Sequence, residues 1–97
     1  MPLTLCVLLT PQPGAEALLV DYEDQVLSLL ARHGGRVLQR VRSVDGTVGP
    51  FEVHVLELPS EKALAAYMED PARLALSELR EQAIAATQLL TVEVIAP

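Results

Sequence analysis

Two titratable residues three positions apart, His54 and Glu57, are the side chains of this 97-residue chain best suited to proton transfer. A carboxyl group that is partly removed from water has a raised pKa and can act as a general acid or base. Imidazole titrates near neutral pH and can do the same if a partner orients it and substrate reaches it. His54 and Glu57 are therefore the predicted catalytic groups.

Each of these two residues has a structural alternative. Glu57 ends a predicted strand just before a helix, and the dipole of that helix would stabilise a carboxylate there. His54 lies within the same strand, and a hydrogen bond at the dimer interface to Glu52 or Glu93 of either chain would account for it. The residue types alone leave both interpretations open.

Three more residues are candidates for binding a substrate. Helical spacing directs Tyr22 and Tyr67 at the predicted sheet, where their hydroxyl groups could reach a ligand, although buried tyrosines more often serve packing. Arg40 stands in a row with Arg36 and Arg42, and a guanidinium can hold a carboxylate through two parallel hydrogen bonds. The stronger interpretation of this row is that charges on an edge strand discourage aggregation.

Other chemistries lack the residues that they need. One cysteine and two histidines without close spacing argue against a dedicated zinc site. Gly34 and Gly35 follow a predicted helix, whereas a phosphate-binding loop precedes one. A formal net charge of −6 argues against binding to nucleic acid, because that binding needs a positive surface. We therefore expect no cofactor and no nucleic-acid partner.

The elements that must position these residues follow the order β-α-β-β-α-β. Side chains of a strand point alternately to the two faces of a sheet. Segments that fit this period of two and are bounded by turn-forming residues predict strands over residues 3–10, 36–43, 51–58 and 89–95. A 3.6-residue period predicts a helix over 15–33 that ends at Gly34, and Asp45-Gly46 predicts a hairpin loop over 44–50. Ser60 begins a second helical region, and Asp70-Pro71 restarts it as a longer helix over 71–87.

Strand alternation also predicts which residues share each face of the sheet. The valine rows of the second and third strands should lie beneath the helices, Val37 and Val41 with Gln39 between them, and Val53 and Val55 with Glu57 ending the row. The opposite face then carries the following polar side chains: Arg36, Arg40, Arg42, Glu52 and His54.

Two helices can cover only one face of a four-stranded antiparallel sheet, yet the inner strands are apolar on both. In the first strand Leu5, Val7 and Leu9 alternate with Cys6 and Leu8. Apolar area left in water costs roughly 25 cal/mol per Å², so we expect a second copy of the chain to cover the open face. The sequence predicts a homodimer that associates through this face.

The chain as a whole, residues 1–97, is predicted to form one domain, and its 51% hydrophobic content argues against disorder. The apolar run over 3–9 is too short to span a bilayer, and no basic segment precedes it. A single cysteine means that folding does not depend on an oxidising compartment. These features predict a cytoplasmic protein without a membrane partner.

Several short strings between Tyr22 and Val94 resemble a family of small bacterial proteins, a domain-of-unknown-function family within the dimeric α+β-barrel superfamily. The strings are His33-Gly34-Gly35-Arg36, Glu57-Leu58-Pro59-Ser60, Ala66-Tyr67-Met68 and Asp70-Pro71. The family usually has an aromatic residue where Leu58 stands here. The resemblance implies a ferredoxin-like monomer whose sheet packs face to face against a second sheet, with the helices outside.

The same resemblance implies a range of functions. The superfamily includes cofactor-independent monooxygenases, muconolactone isomerase-like enzymes, haem-dependent peroxidases and proteins without a known activity. Its enzymes bind substrate between the sheet and the helices, and Glu57 matches the family pattern. Haem is not expected, because the peroxidase chains are longer and no axial histidine can be placed in this one.

The residues and the resemblance together leave three functions open. The first is a dimer that converts a small organic acid or aromatic metabolite without a cofactor, with Glu57 or His54 moving the proton. The second is a homodimeric binding module without turnover, and the third is a structural role in a larger assembly. A cavity between sheet and helices would favour the first, and a solid core there would favour the others.

Overall fold

Four strands and four helices make up the protein in a computed structural model that describes residues 1–45 and 49–96. They are β1 (Leu3–Pro11), α1 (Glu16–Leu27), β2 (Arg36–Arg42), β3 (Glu52–Leu58), α2 (Glu61–Met68), α3 (Pro71–Leu74), α4 (Ser77–Ala83) and β4 (Ile84–Val92). The strands form one antiparallel sheet in the order β2-β3-β1-β4. This is the predicted ferredoxin-like α+β fold, with the helices on one face of the sheet.

The core lies between that face and the helices. Leu5, Val7 and Leu9 of the central strand β1 are buried there, because alternate residues of a strand point to the same side. They pack in one cluster with buried residues of α1, among them Leu19 and Val26. No helix among the described residues is long and apolar enough to cross a membrane.

The first helix is shorter than predicted. It ends at Leu27, and a separate 3-10 turn follows over Leu30–His33. Ser28 supplies a local reason, because its hydroxyl donates to the Gln25 carbonyl oxygen at 2.5 Å and so competes with the helical pattern. Gly34 ends the turn with a positive φ of 73°, as predicted for a left-handed cap.

The second helical region is divided more finely than predicted. The Ser60 hydroxyl caps α2, and the Asp70 carboxylate caps α3 by accepting from the Ala72 amide at 2.9 Å, so the predicted restart at Asp70-Pro71 is confirmed. The predicted continuous helix over 71–87 is wrong, because α4 ends at Ala83 and β4 begins at Ile84. Pairing with β1 along the whole of β4 outweighs the helical preference of this segment.

The predicted assignment of the two sheet faces is also wrong. In β3 the row of Glu52, His54, Leu56 and Leu58 is buried under the helices, and the row containing Val53, Val55 and Glu57 lies on the open face. The pairing register with β1 places Leu56 opposite the buried Leu5 and so determines this choice. The valine row has the more uniform apolar pattern, but the leucine row supplies the larger buried side chains.

The open face is nevertheless apolar, as the argument for a dimer requires. Its central positions are occupied by Cys6 and Leu8 of β1 and by Val53 and Val55 of β3, which are paired across the two strands and half-buried. Leu90 of β4 lies beside Cys6 and is 42% exposed.

The predicted Asp45-Gly46 turn falls partly outside the described residues.

Candidate functional site

A cavity of about 90 Å³ lies between the sheet and the helices. Most of its lining is apolar, and most of these apolar side chains come from β1, β3 and α1, including Leu5, Val7, Val26, Leu56 and Leu58. Its polar lining comes from seven side chains: Tyr22, Glu23, His54, Tyr67, Arg73, Arg80 and Thr87. An apolar chamber with a few convergent polar groups is the usual form of a small-molecule site.

His54 reaches the cavity from the middle of β3 and is only 1% exposed. Its Nε2 atom lies 2.7 Å from Oε1 of Glu52, two residues earlier on the same strand face. Burial lowers the pKa of His54, although the bond to Glu52 opposes that change. A neutral imidazole that donates from Nε2 to Glu52 keeps the lone pair on Nδ1 available.

Glu52 is fully buried and is held by two arginines of the neighbouring strand β2. Arg40 donates to both carboxylate oxygens, at 2.9 and 3.1 Å, and Arg42 donates twice to Oε2, at 2.9 and 2.6 Å. Burial would raise the pKa of Glu52, but hydrogen bonds from Arg40, His54 and Arg42 outweigh it and keep that pKa below its usual range. Glu52 is therefore an ionised anchor that orients His54.

Glu23 of α1 lies on the other side of the imidazole, with Oε1 3.7 Å from Nδ1 of His54. Burial, followed by the charge of Glu52, raises the pKa of Glu23 to about 7. Glu23 is not among the site residues predicted from the sequence, although its position in the helix carries a signal. Glu23 stands four positions after Leu19 and three before Val26, which places it within the buried stripe of the helix.

The two predicted tyrosines, Tyr22 and Tyr67, both line the cavity and are buried. The Tyr67 hydroxyl donates to the Val26 carbonyl oxygen at 3.1 Å, and burial raises the pKa of Tyr67 to about 12. Burial also raises the pKa of Tyr22. Since the Tyr67 hydroxyl is already bonded, this residue serves mainly to shape the wall.

The structure brings together three of the five predicted site residues, His54, Tyr22 and Tyr67. Arg40 does not line the cavity. It donates to Asp24 and to Glu52, and so it holds the carboxylate that orients His54. Glu57 lies on the open face, where its side chain is 34% exposed and Oε1 accepts from Nε of Arg36 at 3.0 Å. The prediction that Glu57 faces the helices is therefore wrong, and its proposed proton transfer stays a prediction.

The arrangement has the parts of a general base. His54 has an orienting carboxylate on one nitrogen and a second nitrogen directed at Glu23 beside the cavity. Within residues 1–45 and 49–96, no three histidine, cysteine or acidic side chains come together as metal ligands. Proton transfer is the chemistry that these side chains could carry out themselves.

An antiparallel sheet with helices on one face, and a cavity between the two layers, defines a ferredoxin-like α+β protein with an internal cavity. The chain belongs to the family described as Domain of unknown function (DUF1330), which matches residues 9–95. The predicted membership of a domain-of-unknown-function family is confirmed. No curated protein matches the chain.

Solved structures with the same fold include proteins with and without a described activity. The RPA0582 protein of unknown function from Rhodopseudomonas palustris is 20% identical, with a TM-score of 0.77 over 99% of this chain and 84% of that one. SnoaB from Streptomyces nogalater, described as a cofactor-independent oxygenase, is 15% identical, with a TM-score of 0.71 over 99% and 97%. A dimeric protein of unknown function from Bacteroides fragilis is 9% identical, with a TM-score of 0.72 over 96% of both chains.

Proposed function

We propose that the cavity binds a small organic acid or aromatic metabolite and that His54 accepts a proton from it without a cofactor. The observation that carries this proposal is the 2.7 Å bond from the His54 imidazole to the buried Glu52. It orients the ring and leaves Nδ1 for chemistry beside an apolar cavity. Such a base contributes about 10²–10⁴-fold to a rate.

Two further observations support a proton-transfer function over a purely structural one. A solid apolar core would need no buried charge, yet the ionised Glu52 is buried beside His54 and is held by two arginines, at some cost in desolvation. The cavity also lies in the layer between sheet and helices, where an enzyme of this fold can enclose substrate. SnoaB, described as a cofactor-independent oxygenase, has the same fold.

The test is deuterium exchange, because it measures proton abstraction even when the natural substrate is unidentified. A panel of small aromatic and alicyclic acids with a C–H next to a carbonyl group is incubated in D₂O with the protein, and deuterium incorporation is followed by NMR. We expect the protein to accelerate exchange of at least one compound. His54→Gln should reduce that acceleration by about 10²-fold or more.

His33→Gln is the matched control. His33 is the second histidine and also bonds a carboxylate, Asp70, at 2.7 Å, but it does not line the cavity. It should keep the acceleration. Full activity of His54→Gln would overturn the assignment of His54, and a compound that binds without exchange would support the alternative, a non-catalytic homodimeric binding module.

The proposal includes a homodimer that associates through the open face. Its support is the apolar centre of that face, where Leu8 pairs with Val53, and the Bacteroides fragilis protein of the same fold is described as dimeric. Native mass spectrometry at micromolar concentration should show a dimer for the natural chain and a monomer for Val53→Asp. Leu18→Asp, a control at a 40% exposed position of α1, should stay dimeric. A natural chain that is monomeric would contradict this part.

A cytoplasmic location is the remaining part of the proposal. It is supported by Cys6, a free and half-buried cysteine on the open face. A fold that needs no disulfide can form in a reducing compartment. Fractionation of cells that express a tagged chain would test it, and recovery in a secreted fraction would contradict it.

A further inference from the structure

We propose that Arg73 and Arg80 form an anion subsite in the wall of the cavity, so that the ligand of this protein is a compact carboxylate with an apolar body. The inference rests on the proposed use of the cavity as a ligand site. It adds the residues that recognise the ligand and the charge that the ligand must carry. It is independent of whether His54 catalyses a reaction.

Arg73 is the first reason for the subsite. Its Nε atom is buried and has no hydrogen-bond partner among the described residues. Its Nη1 atom makes one long bond, 3.5 Å to the Met68 carbonyl oxygen, and the guanidinium carbon lies 5.3 Å from the centre of the Tyr67 ring. A buried donor without an acceptor is costly, and a ligand oxygen in the cavity would remove that cost.

The contrast with the other arginines is the second reason. Arg36, Arg40 and Arg42 all donate to carboxylates of the protein. Within the part of the chain that the structure describes, no carboxylate forms an ion pair with Arg73 or Arg80. Glu23, the carboxyl group in the same cavity, acts on both arginines through longer-range electrostatics without an ion-pair contact, so the protein does not neutralise these two guanidinium groups by contact.

Arg80 is placed to share an anion with Arg73. It lines the same cavity from the next helix, and Nη2 donates to the Thr87 hydroxyl of β4 at 3.2 Å. Its partners, the Thr87 hydroxyl and the Tyr22 hydroxyl, are both neutral, so the charge of Arg80 stays available to a ligand anion. A guanidinium binds a carboxylate better than it binds a neutral amide of the same shape, because the hydrogen bonds are assisted by charge.

The rest of the cavity limits the body of the ligand. Leucine and valine side chains of the sheet and of α1 provide most of its apolar wall, and its volume is about 90 Å³. A polar or extended acid would leave its hydroxyl groups without partners there. A single carboxylate on a small aromatic or aliphatic group fits both parts of the site.

Benzoate and benzamide test this inference, since they have nearly the same shape and differ in charge. Each is titrated into isotope-labelled protein near neutral pH, and affinity is measured from amide NMR shifts. We expect benzoate to bind at least about tenfold more tightly than benzamide. Arg73→Met should remove most of this preference, and Arg32→Met, a substitution of an arginine with a 57% exposed side chain, should keep it.

The outcomes separate this inference from the proposed function. Equal binding of the two probes, or an unchanged preference in Arg73→Met, would overturn the anion subsite and leave the cavity and His54 untouched. Failure of both probes to bind would overturn the subsite together with the ligand cavity. Should Arg73→Met fold poorly, Arg80→Met measures the same preference, and an unchanged ratio there would also count against the subsite.

Discussion

Glu23→Gln is the most informative single substitution in this protein, because it removes a carboxyl group that is 5% exposed and keeps its shape. The pKa of Glu23 rises from 4.5 to about 7 in the folded chain. A carboxyl group whose pKa is raised by folding makes its full contribution to stability at pH values below its pKa in the unfolded chain. That contribution is lost as the pH rises through its pKa in the folded chain. Ionised Glu23 therefore weakens the fold at alkaline pH.

The size of the effect follows from the difference between the two pKa values. Well above pH 7 an ionised Glu23 costs about 3 kcal/mol relative to a neutral side chain of the same shape. At about pH 5 most of the folded protein still has Glu23 protonated, and the cost falls to about 1 kcal/mol. Glu23→Gln should therefore stabilise the protein strongly at about pH 8.5 and weakly at about pH 5.

Urea denaturation followed by circular dichroism measures this difference. For a chain of this size, about 3 kcal/mol corresponds to a rise of about 2 M in the urea midpoint. Protomer concentration must be the same in all samples, because a dimer is stabilised by mass action. Glu81→Gln, at an exposed position of α4, is the control and should change stability by less than about 0.5 kcal/mol. An equal gain at both pH values, or a loss at alkaline pH, would refute the assigned pKa.

Three other substitutions test the remaining parts of the structure. Glu52→Gln should destabilise the fold by about 3–5 kcal/mol, measured by urea denaturation, because it leaves Arg40 and Arg42 without their shared carboxylate. An unchanged urea midpoint would show that these ion pairs are dispensable for stability. Asp70→Asn should lower Tm at about pH 6, because the bond from His33 keeps the pKa of Asp70 low and the ionised carboxylate stabilises the fold. This stabilisation is lost as the pH falls, so the difference in Tm between the natural chain and the variant should close toward about pH 2. A difference that stays constant would contradict this explanation. Glu57→Gln should leave deuterium exchange intact if Glu57 acts only with Arg36 on the open face, and a large loss would support the catalytic role predicted from sequence.

Local signals account for the parts of the fold that the sequence predicted well. Ser60 and Asp70 are N-caps by side-chain chemistry, and Gly34 has the positive φ that a left-handed cap needs. These features depend on neighbours within a few residues, so they can be recognised without a tertiary structure. The end of the second helical region could not, because residues 84–88 join β4 only through pairing with β1.

The candidate site depended more on contacts between distant segments. His54, Tyr22 and Tyr67 were found because their types and spacing are informative by themselves. Glu23 and Arg73 were not assigned to a site, because a charged residue on a helix is usually exposed and only packing shows that these two line a cavity.

By itself the sequence determined the order of the elements, the ferredoxin-like fold and the presence of apolar side chains on both faces of the sheet. Only the tertiary structure decided which face lies under the helices. In β3 alternation yields two candidate rows, and local sequence cannot show that Glu52 and His54 are buried by partners from β2 and α1. That choice places His54 in the cavity and Glu57 on the open face, because one step along a strand reverses the side to which a residue points.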